Sequence, residues 1–214
     1  MNTTWIACWS LMGIAAAGCL RLVIQRFALL PAGMSRLAPP AILEVVTAVL
    51  FAALALRIGA EFVLVAYSWL AAAGVVLATI DCVAGELPTR LVWSSGIVLV
   101  TLLGLSAIVG FTMWPLVRAV LGTLVALAFY GALYVLLPGQ LGGGDLRLGT
   151  LLGFALSWSG WPTLLGGTLG GWLVAALALA VLRLSGRHQV GQRVRLGPFL
   201  IAGALVMVLV HPTS

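Results

Sequence analysis

The 214-residue chain is 63% hydrophobic and 7% charged, with a mean hydropathy of +1.20, which excludes an ordinary soluble domain and points to a polytopic membrane protein. Its net charge of +6 comes from 11 arginines and no lysine. In a soluble protein that excess would suggest nucleic acid. Here the arginines stand between apolar runs and read as topology signals and contacts to anionic headgroups, so the expected partner is the lipid bilayer and not nucleic acid.

A membrane helix needs about 20 apolar residues, within a range of about 17–25. Taken in order, the candidate spans are residues 5–24, 42–56, 62–80, 91–109, 114–137, 146–158, 163–182 and 196–210. The sixth is short for a complete crossing, so about eight transmembrane helices are expected, or seven if it does not cross. Residues 26–40, with Pro31, Arg36, Pro39 and Pro40, form a polar interruption; residues 81–90, with Asp81, Glu86, Pro88 and Arg90, form a connector. Pro138 and the glycines before Asp145 break the chain, and Ser159-Gly160-Trp161-Pro162 reads as a turn. Most tryptophans fall near predicted span ends, as interfacial anchoring expects. The expected architecture is a single all-α membrane bundle over residues 1–214.

Ala17-Gly18-Cys19 after an apolar run has the outline of a lipoprotein signal. No basic residue precedes the run, however, and Arg21 and Arg26 follow it, which favours an uncleaved first span with its N-terminus outside. With eight spans in that orientation, Arg21, Arg26, Arg36, Arg90, Arg147, Arg183, Arg187, Arg193 and Arg195 lie in or beside cytoplasmic connectors. Only Arg57 and Arg118 fall on the other side. This orientation puts the chain's two aspartates, Asp81 and Asp145, at the same cytoplasmic face.

Asp145 follows Gly142, Gly143 and Gly144 in otherwise apolar surroundings, where a carboxylate is costly unless it meets water or serves a purpose. Two carboxyls sharing a water can hydrolyse a peptide bond: one, ionised, takes a proton from water while the other, protonated, polarises the carbonyl. Glycines beside the pair allow positive φ and close approach of a substrate backbone. The plainer readings are a flexible turn for the glycines and a helix-end acid for Asp81. Other reaction chemistries find little support. HExxH and GxSxG are absent, the three cysteines (Cys8, Cys19, Cys82) form no CxxC pair, and His188 and His211 stand beside no obvious serine partner. Gly166, Gly167, Gly170 and Gly171 carry two interleaved GxxxG spacings, a signal for close helix packing and not for a site.

Gly142-x-Gly144-Asp145 resembles the GxGD motif of the type IV prepilin peptidases. Asp81 followed by Leu87-Pro88 resembles the region of that family's first aspartate. Residues 38–47 through Phe51, with Glu44, are similar to its second span, and Leu196-Gly197-Pro198-Phe199-Leu200 to the entry of its last. Four matches in the right order cover most of the chain. The resemblance implies an aspartic membrane endopeptidase of the inner (cytoplasmic) membrane. Such an enzyme removes basic leaders from prepilin-like substrates, with Asp81 and Asp145 as the catalytic pair. Arg147 stands where the family often has lysine, and it is grouped with Gly142, Gly143 and Gly144 as a candidate substrate-facing loop. The connector at 26–40 is too short and too cysteine-poor for the family's zinc-binding insertion, so no metal or cofactor is expected and methyltransferase activity is doubtful. Two alternatives are a GxGD intramembrane protease with other helical substrates and a small proton-coupled transporter.

Overall fold

The computed structural model describes residues 3–27, 40–85, 87–138, 141–185 and 195–211. Most of the expected connector at 26–40, Glu86, and most of the basic loop between Arg183 and Arg195, including His188, lie outside the described residues. Among those described, the fold is all helical: α1 (Thr3–Phe27), α2 (Pro40–Ile58), α3 (Val63–Ala84), α4 (Thr89–Val109), α5 (Trp114–Leu136), α6 (Gly143–Ser159), α7 (Trp161–Leu184) and α8 (Gly197–Val210). Four of them, α3, α4, α5 and α7, are long and apolar enough to cross a membrane. The protein is a helical membrane bundle.

The boundaries follow local chemistry. Prolines at 115, 162 and 198 occupy the first turns of α5, α7 and α8, where no backbone N–H is needed for the helix. Gly85 ends α3 in the left-handed conformation (φ +70°), which a residue with a Cβ adopts only with strain. Three expectations need correction here. The expected turn at 159–162 is tighter, because Trp161 and Pro162 already belong to α7. Asp81 lies inside the last turn of α3 and does not begin a connector. Gly143 and Gly144 are not a break either: they form the first turn of α6, and neither they nor Gly142 takes a positive φ.

α3 is the central helix, with 72% of its apolar stretch buried against 28%, 22% and 22% for α4, α5 and α7. Tyr67, Leu77, Leu99, Leu148, Leu156, Leu200 and Val208 meet in the wholly buried core. The main pairings are α1 with α2, α5 with α6 and α7 with α8, while α3 touches α1, α2, α4 and α8. Of the two GxxxG spacings, the Gly167/Gly171 pair packs as expected, whereas Gly170 of the other faces open space. A Cβ on Gly203 of α8 would fall 2.6 Å from the backbone nitrogen of Gly171 and 2.8 Å from the carbonyl of Gly167, so α7 and α8 touch backbone to backbone. On the other side, glycines of α6 accept side chains of α5: Gly149 faces the Tyr130 ring and Gly153 the Ala126 methyl.

Candidate functional site

One end of the bundle gathers the C-terminus of α3 and the N-termini of α4, α6 and α8. Asp81 sits one turn before the end of α3, where its carbonyl accepts the Gly85 N–H at 2.9 Å. Its side chain is 4% exposed, and among the described residues its Oδ2 has no hydrogen-bond partner. An unpaired buried carboxylate oxygen is costly and therefore rare, which makes it a feature to explain. The opening turn of α8 confines it. A Cβ at Gly197 would lie 2.7 Å from that oxygen, so any side chain there would have to push the carboxyl aside.

Asp145 is the third residue of α6 and 9% exposed. Its Oδ2 accepts the N–H of Gly142, the residue that caps the helix, at 3.3 Å. This is one half of a capping box; the reciprocal half is absent because Gly142 has no side chain to return the bond. Gly144 brings the second acid toward the first. A Cβ there would fall 2.8 Å from the Leu87 Cβ, so the Leu87-Pro88 turn that follows Asp81 presses directly on the residue preceding Asp145. The two carboxyls lie within Coulombic reach of each other.

The helix poles make the pair unequal. α6 turns its positive N-terminal end to Asp145, whereas α3 turns its negative C-terminal end to Asp81. Arg195, exposed just before α8, lays its guanidinium over Gly85 and supplies a cation close enough for its charge to reach Asp81. Close like charges cannot both ionise without penalty, so the Asp81 charge disfavours ionisation of Asp145 and lets the two carboxyls take different protonation states. One member can accept a proton from water while the other donates one to a carbonyl oxygen.

The remaining sequence candidates separate. Arg147 is exposed and donates from Nη1 to Thr89 Oγ1 at 2.9 Å, which ties the second turn of α6 to the first residue of α4. Gly142 caps α6, and Gly144 makes the close approach to Leu87. Around Gly143 a Cβ would meet nothing within 4 Å. The close approach made by these glycines is therefore to the protein's own Leu87. Glu44 is half-buried in α2, and Cys82 is exposed and unoxidised beside Asp81. Among the described residues, no three His, Cys, Asp or Glu side chains gather as a metal site would require.

Gly197 and Leu87 belong to the site and were not singled out from sequence as site residues, although both lie in the stretches that carry the family resemblance. Adjacent Leu-Pro and Gly-Pro pairs mark helix starts; only the fold shows that these starts converge on the acids. The chain matches no protein-family model, no curated protein and no solved structure.

Proposed function

We propose that the protein is an aspartic endopeptidase of the prepilin-peptidase kind, removing basic leaders from prepilin-like membrane proteins with Asp81 and Asp145 as the water-activating pair. The observation that carries this reading is the placement of the chain's two aspartates at one end of a membrane bundle, one of them with a buried oxygen that has no hydrogen-bond partner among the described residues. A carboxyl placed only for stability would have its lone pairs satisfied. The four motif stretches support the same reading from the sequence side, since three of them supply the residues that bound the pair: Leu87, Gly144 and Gly197.

In this proposal α1 begins outside, and the acid-bearing end faces the cytoplasm of a bacterial-type inner membrane. Arg90, Arg147 and Arg195 then stand on the positive-inside face. Water reaches the pair at that interface, and the substrate's leader lies on the same side.

The test is processing of a prepilin-like substrate, with a basic leader, a glycine and then a long apolar helix, supplied in the same membranes. The wild-type protein is expected to shorten it, and Asp81→Asn and Asp145→Asn variants present at equal level are expected not to. Processing that survives both substitutions would overturn the reading. Replacing the glycine before the cleavage site distinguishes a prepilin peptidase, which stops, from a GxGD protease of broader taste, which continues.

A further inference from the structure

Arg57 and Arg118 are the two arginines that the orientation reading leaves apart from the other nine. A cation near a membrane helix end calls for a reason, and the two have the same one. Arg118, in the second turn of α5, donates from Nε to the Ser157 carbonyl at 2.7 Å and from Nη2 to the Trp158 carbonyl. Arg57, in the last turn of α2, donates from Nε to the Leu209 carbonyl at 2.6 Å and from Nη2 to the Val210 carbonyl at 3.3 Å. Each guanidinium thus forks across two consecutive carbonyls at the C-terminus of another helix.

The helices so capped are the two shortest in the bundle, α6 with 17 residues and α8 with 14. At roughly 1.5 Å per residue they reach about 26 Å and about 21 Å, less than the roughly 30 Å of a bilayer's hydrocarbon layer. A short helix that starts at one surface ends below the other, where its final carbonyls have no water to bond. At α6 the closure goes further. The Leu156 carbonyl accepts the Gly160 N–H at 3.2 Å, and the Tyr67 hydroxyl donates to the Ala155 carbonyl at 2.9 Å and lies 2.6 Å from Ser159 Oγ.

These same two helices carry the site at their opposite ends: α6 starts with Asp145, and α8 starts with the glycine that confines Asp81. We infer that Arg118 and Arg57 are positioning residues that hold the axial depth of α6 and α8, and so set where Asp145 and Gly197 stand relative to Asp81. Arginine suits the task because its planar fork spans two carbonyls at once, whereas lysine offers a single point charge. The catalytic consequence rests on the peptidase reading; the positional one does not.

Two readouts separate those parts. The first places a reporter thiol by Gly143→Cys, where a side chain meets open space, in a protein with Cys8, Cys19 and Cys82 changed to serine. Labelling of that thiol by a polar maleimide is measured with and without Arg118→Met. The second follows cleavage of the prepilin-like substrate by otherwise native protein carrying Arg118→Met, Arg118→Lys or Arg57→Met. The reporter is expected to change its labelling rate severalfold. Arg118→Met and Arg57→Met are expected to lower kcat at least tenfold, within the hundredfold scale of a misplacement of about 1 Å, with KM nearly unchanged because neither arginine reaches the substrate. Arg118→Lys, which keeps the charge and loses the fork, is expected to fall between; should Arg118→Met not accumulate in membranes, this variant decides. Unaltered labelling together with unaltered kcat in folded protein would overturn the inference. Altered labelling in a protein whose native form cleaves nothing would leave the positioning intact and remove the peptidase reading alone.

Discussion

The two ends of α6 treat their polar groups in opposite ways. At its C-terminus, Arg118 takes the Ser157 and Trp158 carbonyls, Gly160 takes Leu156, and Tyr67 reaches Ala155. At its N-terminus, Asp145 has one long bond from Gly142, and neighbouring Asp81 keeps an oxygen with none among the described residues. Leaving a buried polar group unpaired costs about 1–3 kcal/mol; at the C-terminal end the carbonyls are bonded and, among the described residues, only the Ser157 hydroxyl is left without a partner, whereas at the other end the unpaired atom is a carboxylate oxygen. On the peptidase reading, the difference separates a fastening from a reaction site: bonded groups hold the helix, and an unbonded one remains free to bind a water and a substrate carbonyl.

The largest expected effect breaks the reactive end. Asp81→Asn or Asp145→Asn is expected to lower leader cleavage about a thousandfold or more, in line with the loss of a positioned proton carrier. Asp81→Asn should leave thermal stability in detergent equal or higher, because it removes a buried charge one of whose oxygens has no hydrogen-bond partner among the described residues. A fall in melting temperature comparable to that of a core mutation would instead make Asp81 part of the fastening. On the peptidase reading, the native protein should also show a two-sided pH profile. Activity falls on the acid side as both carboxyls protonate and on the alkaline side as both ionise, with each limb belonging to the pair.

Next come the walls of the site. Gly197→Ala puts a methyl 2.7 Å from Asp81 Oδ2, and Gly144→Ala puts one 2.8 Å from Leu87 Cβ. Each is expected to cut activity on the order of a hundredfold by displacing a carboxyl, and to destabilise the fold by about 1–3 kcal/mol. Steady-state cleavage and thermal unfolding measured on the same preparations would show whether activity falls further than stability alone explains.

These walls also mark what could and could not be read beforehand. Eight helices were legible because long apolar runs alternate with proline and glycine punctuation, and Gly197-Pro198 starts a helix on local grounds alone, whereas Trp161-Pro162 reads as part of a turn. That Asp81 and Asp145 occupy one end was legible through the side on which the arginines fall. The limits of α3 and α6 were less so: glycine and aspartate usually mark breaks, yet a helix's first turn tolerates Gly143-Gly144 and favours an acid at the third position. The notch at Gly197 and the caps by Arg57 and Arg118 join residues far apart in the chain. No local pattern announces them, and the two arginines looked only like exceptions to an orientation rule.

A smaller effect tests the packing that holds both ends in register. Gly203→Ala sets a methyl against the α7 backbone at Gly167 and Gly171, which cannot move aside as a side chain can. It should destabilise by about 1–3 kcal/mol. Gly170→Ala meets nothing within 4 Å, and by lowering the entropy lost on helix formation it should be neutral or stabilising by up to about 1 kcal/mol. Equal effects of the two in thermal unfolding would remove backbone contact as the meaning of the α7 glycines.

The smallest effect falls within the glycine triplet and is the most discriminating for its size. Gly143 and Gly144 are adjacent, both helical and both half-buried, and they differ in what surrounds the missing Cβ: open space at 143, Leu87 at 144. If the triplet served mainly as a pliable loop, alanine at either position would stiffen it alike and lower activity alike. If it serves as a notch for the Leu87-Pro88 turn, Gly143→Ala should keep cleavage within about twofold of native and, as a Gly→Ala change inside a helix, gain up to about 1 kcal/mol. Gly144→Ala should lose most of its activity. The notch reading requires the two alanines to diverge, because what the site needs from this glycine is the absence of a side chain between the two segments that carry the acids.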